Sequence, residues 1–201
     1  MLRNASLGVL AIIAILTGWN LSKGSPSGSE FELAHGVSLN EPRAIADFSL
    51  IDHSGQPFTA RNLEGQWSLL FIGFTHCPDI CPMTLNLLGM VQSAVQEQGR
   101  TLQGIFISVD PQRDTPDELK RYLNFFDSDF IGVSGSLGSL NRLCENLDFG
   151  FVKVPHSDGA YTIDHSGALA LIGPQAELKG YFLPPLDPEE IISDLSRVLG
   201  Y

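Results

Sequence analysis

The run Trp67–Thr75, WSLLFIGFT, is apolar almost throughout and stops at a loop carrying Pro78 and Pro82. A continuous apolar run of this length, closed by a turn signal, reads as a strand covered on both faces. A second such run follows at 102–110, LQGIFISVD. Between the two, Leu85, Leu88, Val91 and Val95 recur at helical spacing, predicting a helix after Pro82. The segment TPDELKRYLNFF opens a further helix with Thr115 as N-cap, Pro116 at the first helical position and Glu118 completing a capping box. FIGVSG is a short strand, and Leu137, Leu140, Leu143 and Leu147 mark another helix. ALALIGPQAELKGYF reads as two strands around a Gly-Pro turn. A last helix starts at Asp187, Pro188 and Glu190. Ahead of all these, ADFSLIDHSGQPFT predicts a hairpin turning at His53–Gln56. Strands alternating with helices, closed by a hairpin and a final helix, predict a three-layer α/β sandwich around a mixed sheet, of thioredoxin-like order.

The N-terminal part of the chain differs from this pattern. Ser6–Leu21 holds no charged residue and follows Arg3. It is close to the ~20 apolar residues that span a bilayer. Bulky Trp19 and Leu21 stand where a cleavable signal needs small side chains, so an uncleaved single-pass anchor is the expected reading of residues 1–21. Trp19 then belongs to the interfacial aromatic belt. Residues 22–41, rich in Ser, Gly and polar side chains, read as a tether, and 42–201 as the folded domain. An Arg-rich, Ser-rich amphipathic presequence is absent, which favours a bacterial cell-membrane protein whose domain faces the periplasm or exterior. Among its 201 residues the chain carries a formal net charge of −11. That balance excludes ordinary nucleic-acid binding, which needs clustered Lys and Arg.

An exported domain meets an oxidising compartment. Its three cysteines cannot all pair within one chain. Cys77 and Cys81 flank Pro78, Asp79 and Ile80 at the junction of strand and helix. Unpaired amides and the helix dipole at that junction favour the thiolate, the form that attacks disulfides and binds metals. Wound as one helical turn, the two sulfurs can face one ion. They can equally close a redox disulfide, since Cα atoms about 6 Å apart suit one. A purely structural disulfide is the weakest reading, because so short a loop limits the entropic gain. Two thiolates and an imidazole would suit copper or zinc.

Five histidines are available. His35 lies in the tether, His156 in a Pro- and Gly-flanked loop and His53 in the hairpin turn, all expected in solvent. His76 adjoins Cys77, but neighbours along an extended segment point to opposite faces. It is expected to pack or hydrogen-bond beneath the loop. His165, at the entry to the closing hairpin of a thioredoxin-like fold, is the best-placed third ligand. Cys144 sits in an apolar helical stripe and reads as a buried, inert thiol.

The blocks GFTHCPDICP, ISVDPQRDTPDELKRYLNFF and YTIDHSGALALIGPQAEL, in this order, resemble the Sco/SenC family of copper proteins that serve cytochrome c oxidase assembly. The likeness runs from about Pro42 to the C-terminus. It implies a membrane-tethered thioredoxin-like domain holding one copper ion, Cu(I) or Cu(II), through Cys77, Cys81 and His165. The implied partner is the copper-bearing oxidase subunit, whose binuclear centre receives copper or has its cysteines reduced. Another copper chaperone or a thiol reductant would complete the cycle. The resemblance assigns no catalytic residue. Asp164, next to His165, reads equally as a partner orienting the imidazole or as a turn residue. Asp110, Arg113 and Asp114 read as a polar surface loop, with Arg113 paired to Asp114. The competing reading is a thiol–disulfide oxidoreductase that needs both cysteines and no metal; a thiol peroxidase is a distant third.

Overall fold

A computed structural model of the protein describes residues 31–126 and 129–199. The anchor read over 1–21 lies outside them. Among the described residues no helix is long and apolar enough to cross a membrane. In chain order the elements are β1 (Val37–Ala44), β2 (Leu50–Asp52), β3 (Pro57–Phe58), β4 (Trp67–Gly73), α1 (Ile80–Glu97), β5 (Leu102–Ser108), α2 (Pro116–Leu123), β6 (Ile131–Ser134), α3 (Leu137–Asn146), β7 (Phe151–Pro155), β8 (Tyr161–His165), β9 (Leu169–Gly173), β10 (Glu177–Phe182) and α4 (Pro188–Val198).

Eight strands form one mixed sheet in the order β1-β10-β9-β4-β5-β6-β2-β3, while β7 and β8 pair separately. β4, β5 and β6 are parallel, from Trp67↔Leu102 to Gly73↔Ser108 and from Ile105↔Ile131 to Ile107↔Val133. β9 joins β4 antiparallel. The apolar run beginning at Trp67 is thus a central strand of the sheet. Leu70, Ile72 and Phe74 face one core with Ile105, Ile107, Val133 and the α3 residues Leu140 and Leu143. On the opposite side Phe71 meets Phe106, and Phe106 meets Tyr122 of α2. Leu85, Leu88, Val91 and Val95 of α1 are fully buried. Each such side chain contributes roughly 1.5–3 kcal/mol to packing.

The helix starts follow the chemistry expected of them, with one difference. Thr115 accepts the Glu118 amide at 3.3 Å. Asp187 accepts the Glu189 and Glu190 amides at 2.8 and 3.2 Å. The capping box at Thr115 is only half formed. The Thr115 N–H already donates to the Arg113 carbonyl, so the Glu118 carboxylate turns instead to Arg121 at 2.6 Å.

Two elements escape the hydropathy reading. β1 begins at Val37, within the stretch read as tether, and pairs antiparallel with β10 from Val37↔Tyr181 to Ala44↔Glu177. It is an edge strand of mostly exposed residues, held by backbone pairing that leaves no apolar alternation. Gly180 permits the approach, since a Cβ there would lie 2.3 Å from the Val37 carbonyl oxygen. The second is the β7–β8 hairpin, which carries His165 at its end. His165 therefore does not enter the closing hairpin; that hairpin is β9–β10.

The start of the domain is pinned by a buried carboxylate. The Asp194 side chain of α4 accepts the Ala34 amide at 2.9 Å and the His35 and Gly36 amides at 2.8 and 3.0 Å. Burial pushes its acidity down, but these three amides and the Arg197 guanidinium outweigh burial and hold its pKa below the usual carboxylate range. A depressed folded value means stability that is present above the unfolded value of ~3.9 and lost as pH falls through the folded one. Asp194→Asn is expected to be less stable by about 2 kcal/mol at pH 7. Denaturant titrations at pH 7 and pH 3 should show the gap shrinking in acid.

Candidate metal centre

β4 ends at Gly73 and the chain turns through Phe74–Asp79 before entering α1 at Ile80. The Cys77 N–H closes the turn on the Phe74 carbonyl at 3.2 Å. Cys77 is half-buried and Cys81, second residue of α1, is fully buried. The Cys81 amide, one of the donors a helix start leaves unpaired, points at the Cys77 sulfur at 3.5 Å. Gly73 is needed here, since a Cβ would lie 2.6 Å from the Cys81 sulfur and 2.8 Å from the Phe106 ring.

The expectation that the helix start favours thiolate fails at Cys81. Burial pushes its thiol far above the ordinary range, the Phe74 backbone offsets part of this, and the Cys77 side chain adds to it. Desolvation of the charged form outweighs the helix terminus. Burial thus favours the protonated thiol at Cys81. Cys144 is buried in α3 and raised to about 12 for the same reason, as expected of an inert thiol.

β8 delivers His165 to this loop. Its Nε2 lies 3.5 Å from the Cys81 sulfur. Its Nδ1 lies 3.0 Å from the Ser166 carbonyl oxygen. A carbonyl only accepts, so Nδ1 carries the proton and the Nε2 lone pair faces the sulfurs. The ring meets Phe71 and Phe74 edge-on at 5.9 and 6.0 Å. Burial lowers the His165 pKa more than the Ser166 carbonyl and Asp164 raise it, which keeps the imidazole neutral. The partner orienting the ring is thus the Ser166 backbone, in place of Asp164, whose side chain is exposed.

The donor atoms of Cys77, Cys81 and His165 all lie within 4.8 Å of one another. This is about the span across a single ion with ligands 2.0–2.3 Å away. Cys77 and His165 line a groove with Phe74, Pro78, Ile80 and Ile163, among others, and Cys81 lies buried beside them. Two soft sulfurs and one imidazole form a donor set suited to copper or zinc.

The remaining histidines lie elsewhere. His53 is half-buried rather than exposed, because its Nδ1 accepts the Gly132 amide at 3.0 Å. His76 hydrogen-bonds Thr75 at 3.0 Å, and half of its side chain is exposed. His35 is exposed beside Glu190, and His156 is exposed in the β7–β8 turn.

The loop after β5 is not the surface loop expected from its polarity. Asp110 and Asp114 are almost completely buried. Arg113 pairs with Asp110, not Asp114. Asp114 accepts the Thr75 amide at 2.8 Å, the Thr75 hydroxyl at 2.6 Å and the Ser108 hydroxyl at 2.6 Å. The only sequence signal for this anchor is a pair of carboxylates just after a buried strand, and it is a weak one.

The pattern of the SCO1/SenC family matches residues 37–200. The chain belongs to the SCO1/SenC family. A relative from Stutzerimonas stutzeri is 38% identical over 198 residues, covering 96% of this chain and 92% of its own. The structure of Bradyrhizobium japonicum ScoI with copper bound is 36% identical with a TM-score of 0.70, over 77% of this chain and 98% of that one. Yeast Sco1 with copper bound is 32% identical with a TM-score of 0.73, over 80% of this chain and 91% of that one. This SCO1/SenC protein thus shares with copper-bound relatives the mixed α/β, thioredoxin-like fold on which its sulfur–imidazole cluster is built.

Proposed function

We propose that this protein carries one copper ion on Cys77, Cys81 and His165 and delivers it to the binuclear copper centre of a cytochrome c oxidase subunit. It works from an N-terminal anchor in the bacterial cell membrane, with the domain on the outer side. The observation that carries this reading is the convergence of two sulfurs and one imidazole lone pair within 4.8 Å. The copper-bound Sco relatives support the choice of copper over zinc.

The chain's own groups divide the work. The neutral imidazole offers Nε2 without first losing a proton, while Cys81 must release one as copper enters. Thiolate and imidazole together accept both Cu(I) and Cu(II). Cys77, half-buried at the groove, is the ligand an incoming acceptor thiol reaches first, so the ion leaves by ligand exchange. Metal analysis of the reduced protein is expected to find one copper per chain, and Cys77→Ser or Cys81→Ser to abolish tight binding. Stoichiometric copper retained without either cysteine would defeat the proposal.

One observation favours a second reading. A partly buried Cys77 on the groove wall beside a fully buried Cys81 is the arrangement of a thiol pair that attacks a partner disulfide from its more accessible member. Disulfide reduction that needs both cysteines, yet is unchanged in His165→Ala, would select this reading.

A further inference from the structure

A network centred on residues 110–114 joins the two halves of the site. The half bearing Cys77 is held through Asp114, which takes both the amide and the hydroxyl of Thr75. The half bearing His165 is the β7–β8 hairpin, which pairs with no strand of the main sheet. It is fastened at Tyr161, four residues before His165. The Tyr161 hydroxyl donates to Asp110 at 2.9 and 3.2 Å. Arg113 donates from Nε to Asp110 and from Nη1 to the Tyr161 carbonyl, the latter at 3.3 Å. Its guanidinium lies 3.8 Å over the Tyr161 ring and 5.6 Å from the centroid of Phe74, which meets His165 in a T-shaped contact. On the other side of Tyr161, Lys153 stands 3.5 Å over the ring and donates to Gln112 at 2.9 Å.

We infer that residues 110–114 act as a bracket setting the separation between His165 and the cysteine pair, with Tyr161 and Arg113 as positioning residues for the imidazole. This rests on the copper reading above. The physical reason lies in the topology. A two-stranded hairpin is marginal alone, so the place of its last residue depends on what ties its strands to the body. Ile163 packs into the core and Phe151 and Tyr161 pack against it, but apolar packing is non-directional and does not by itself fix the hairpin's angle to the body. The hydroxyl–carboxylate bond and the guanidinium stack at Tyr161 fix it. Arg113 serves better than lysine would, because Asp110, the Tyr161 carbonyl and two rings must be met by one planar group.

The test uses the full chain in detergent, loaded with copper, and the conservative variant Tyr161→Phe, which keeps the ring and deletes the hydroxyl. Copper affinity by chelator competition is expected to fall about tenfold, the lower range for losing an outer-shell partner of a metal ligand. The thiolate-to-Cu(II) absorption should shift as the imidazole loosens. Arg113→Lys, which keeps the charge, is expected to give the same change rather than to rescue it. In a His165→Ala background, Tyr161→Phe should cost nothing further, because the group it positions is gone. The bracket is overturned if Tyr161→Phe binds copper with parental affinity and spectrum. It is also overturned if the tenfold loss persists without His165, which would mark a general loosening of the fold. If His165→Ala alone leaves affinity unchanged, the imidazole is not a ligand, and the bracket falls with it.

Discussion

His165→Ala is expected to weaken copper binding by at least about 100-fold while leaving the domain folded. Losing an outer-shell partner of a metal-bound histidine costs 10- to 100-fold, so losing the ligand itself should cost no less. The imidazole is prepared for the task in two ways. Its Nδ1 proton is engaged by the Ser166 carbonyl at 3.0 Å, which aims Nε2 at Cys81. Burial also lowers its pKa, so at neutral pH no proton competes with the ion for Nε2. Alanine leaves two sulfurs and an open position that water fills, and both Cu(II) affinity and the charge-transfer band should suffer. Isothermal or chelator competition on the purified chain, with far-UV circular dichroism to verify folding, measures this directly. Parental affinity in the variant would remove the imidazole from the site.

Asp114→Ala is expected to be the most destabilising single change near the site, by about 3–5 kcal/mol. The carboxylate is 2% exposed and accepts three hydrogen bonds, two from Thr75 and one from Ser108. A buried donor left without a partner costs about 1–3 kcal/mol, and here three lose theirs together. Because the Thr75 hydroxyl gives its proton to Asp114, its oxygen is free to accept from His76 Nδ1, 3.0 Å away. The loss therefore spreads into the residue beside Cys77. Asp114→Asn keeps one acceptor oxygen but turns an amide N–H₂ toward a donor, so it should recover only part of the loss. Urea unfolding monitored by tryptophan fluorescence gives the magnitude. A change below about 1 kcal/mol for Asp114→Ala would mean that this carboxylate does not anchor the cysteine loop.

The two predictions differ in how far the residue could be recognised before the fold was known. His165 could be singled out because its block, YTIDHSGALALIG, resembles a family and because strand order places that block beside the cysteines. Asp114 could not. Its block was recognisable, but hydropathy places the Asp-Pro-Gln-Arg-Asp segment at the surface. Only the packing of β4 against β5, with Gly73 opposite Ser108, shows that the loop after β5 folds under the loop after β4. The same limit applies to the charge state of Cys81. Its place at a helix start is legible in the chain, whereas its complete burial against Gly73 is not.

Periodic burial wrote the central sheet, the helix starts and the cysteine junction into the chain, since these depend on apolar spacing, proline and capping residues within a few positions of one another. Edge strand β1, hairpin β7–β8 and the buried carboxylates depend instead on backbone pairing and on hydrogen bonds between residues tens of positions apart, such as Asp194 with Gly36 and Thr75 with Asp114. Such contacts leave no local pattern. They exist only once the core has brought the segments together, and they decided where the imidazole meets the two sulfurs.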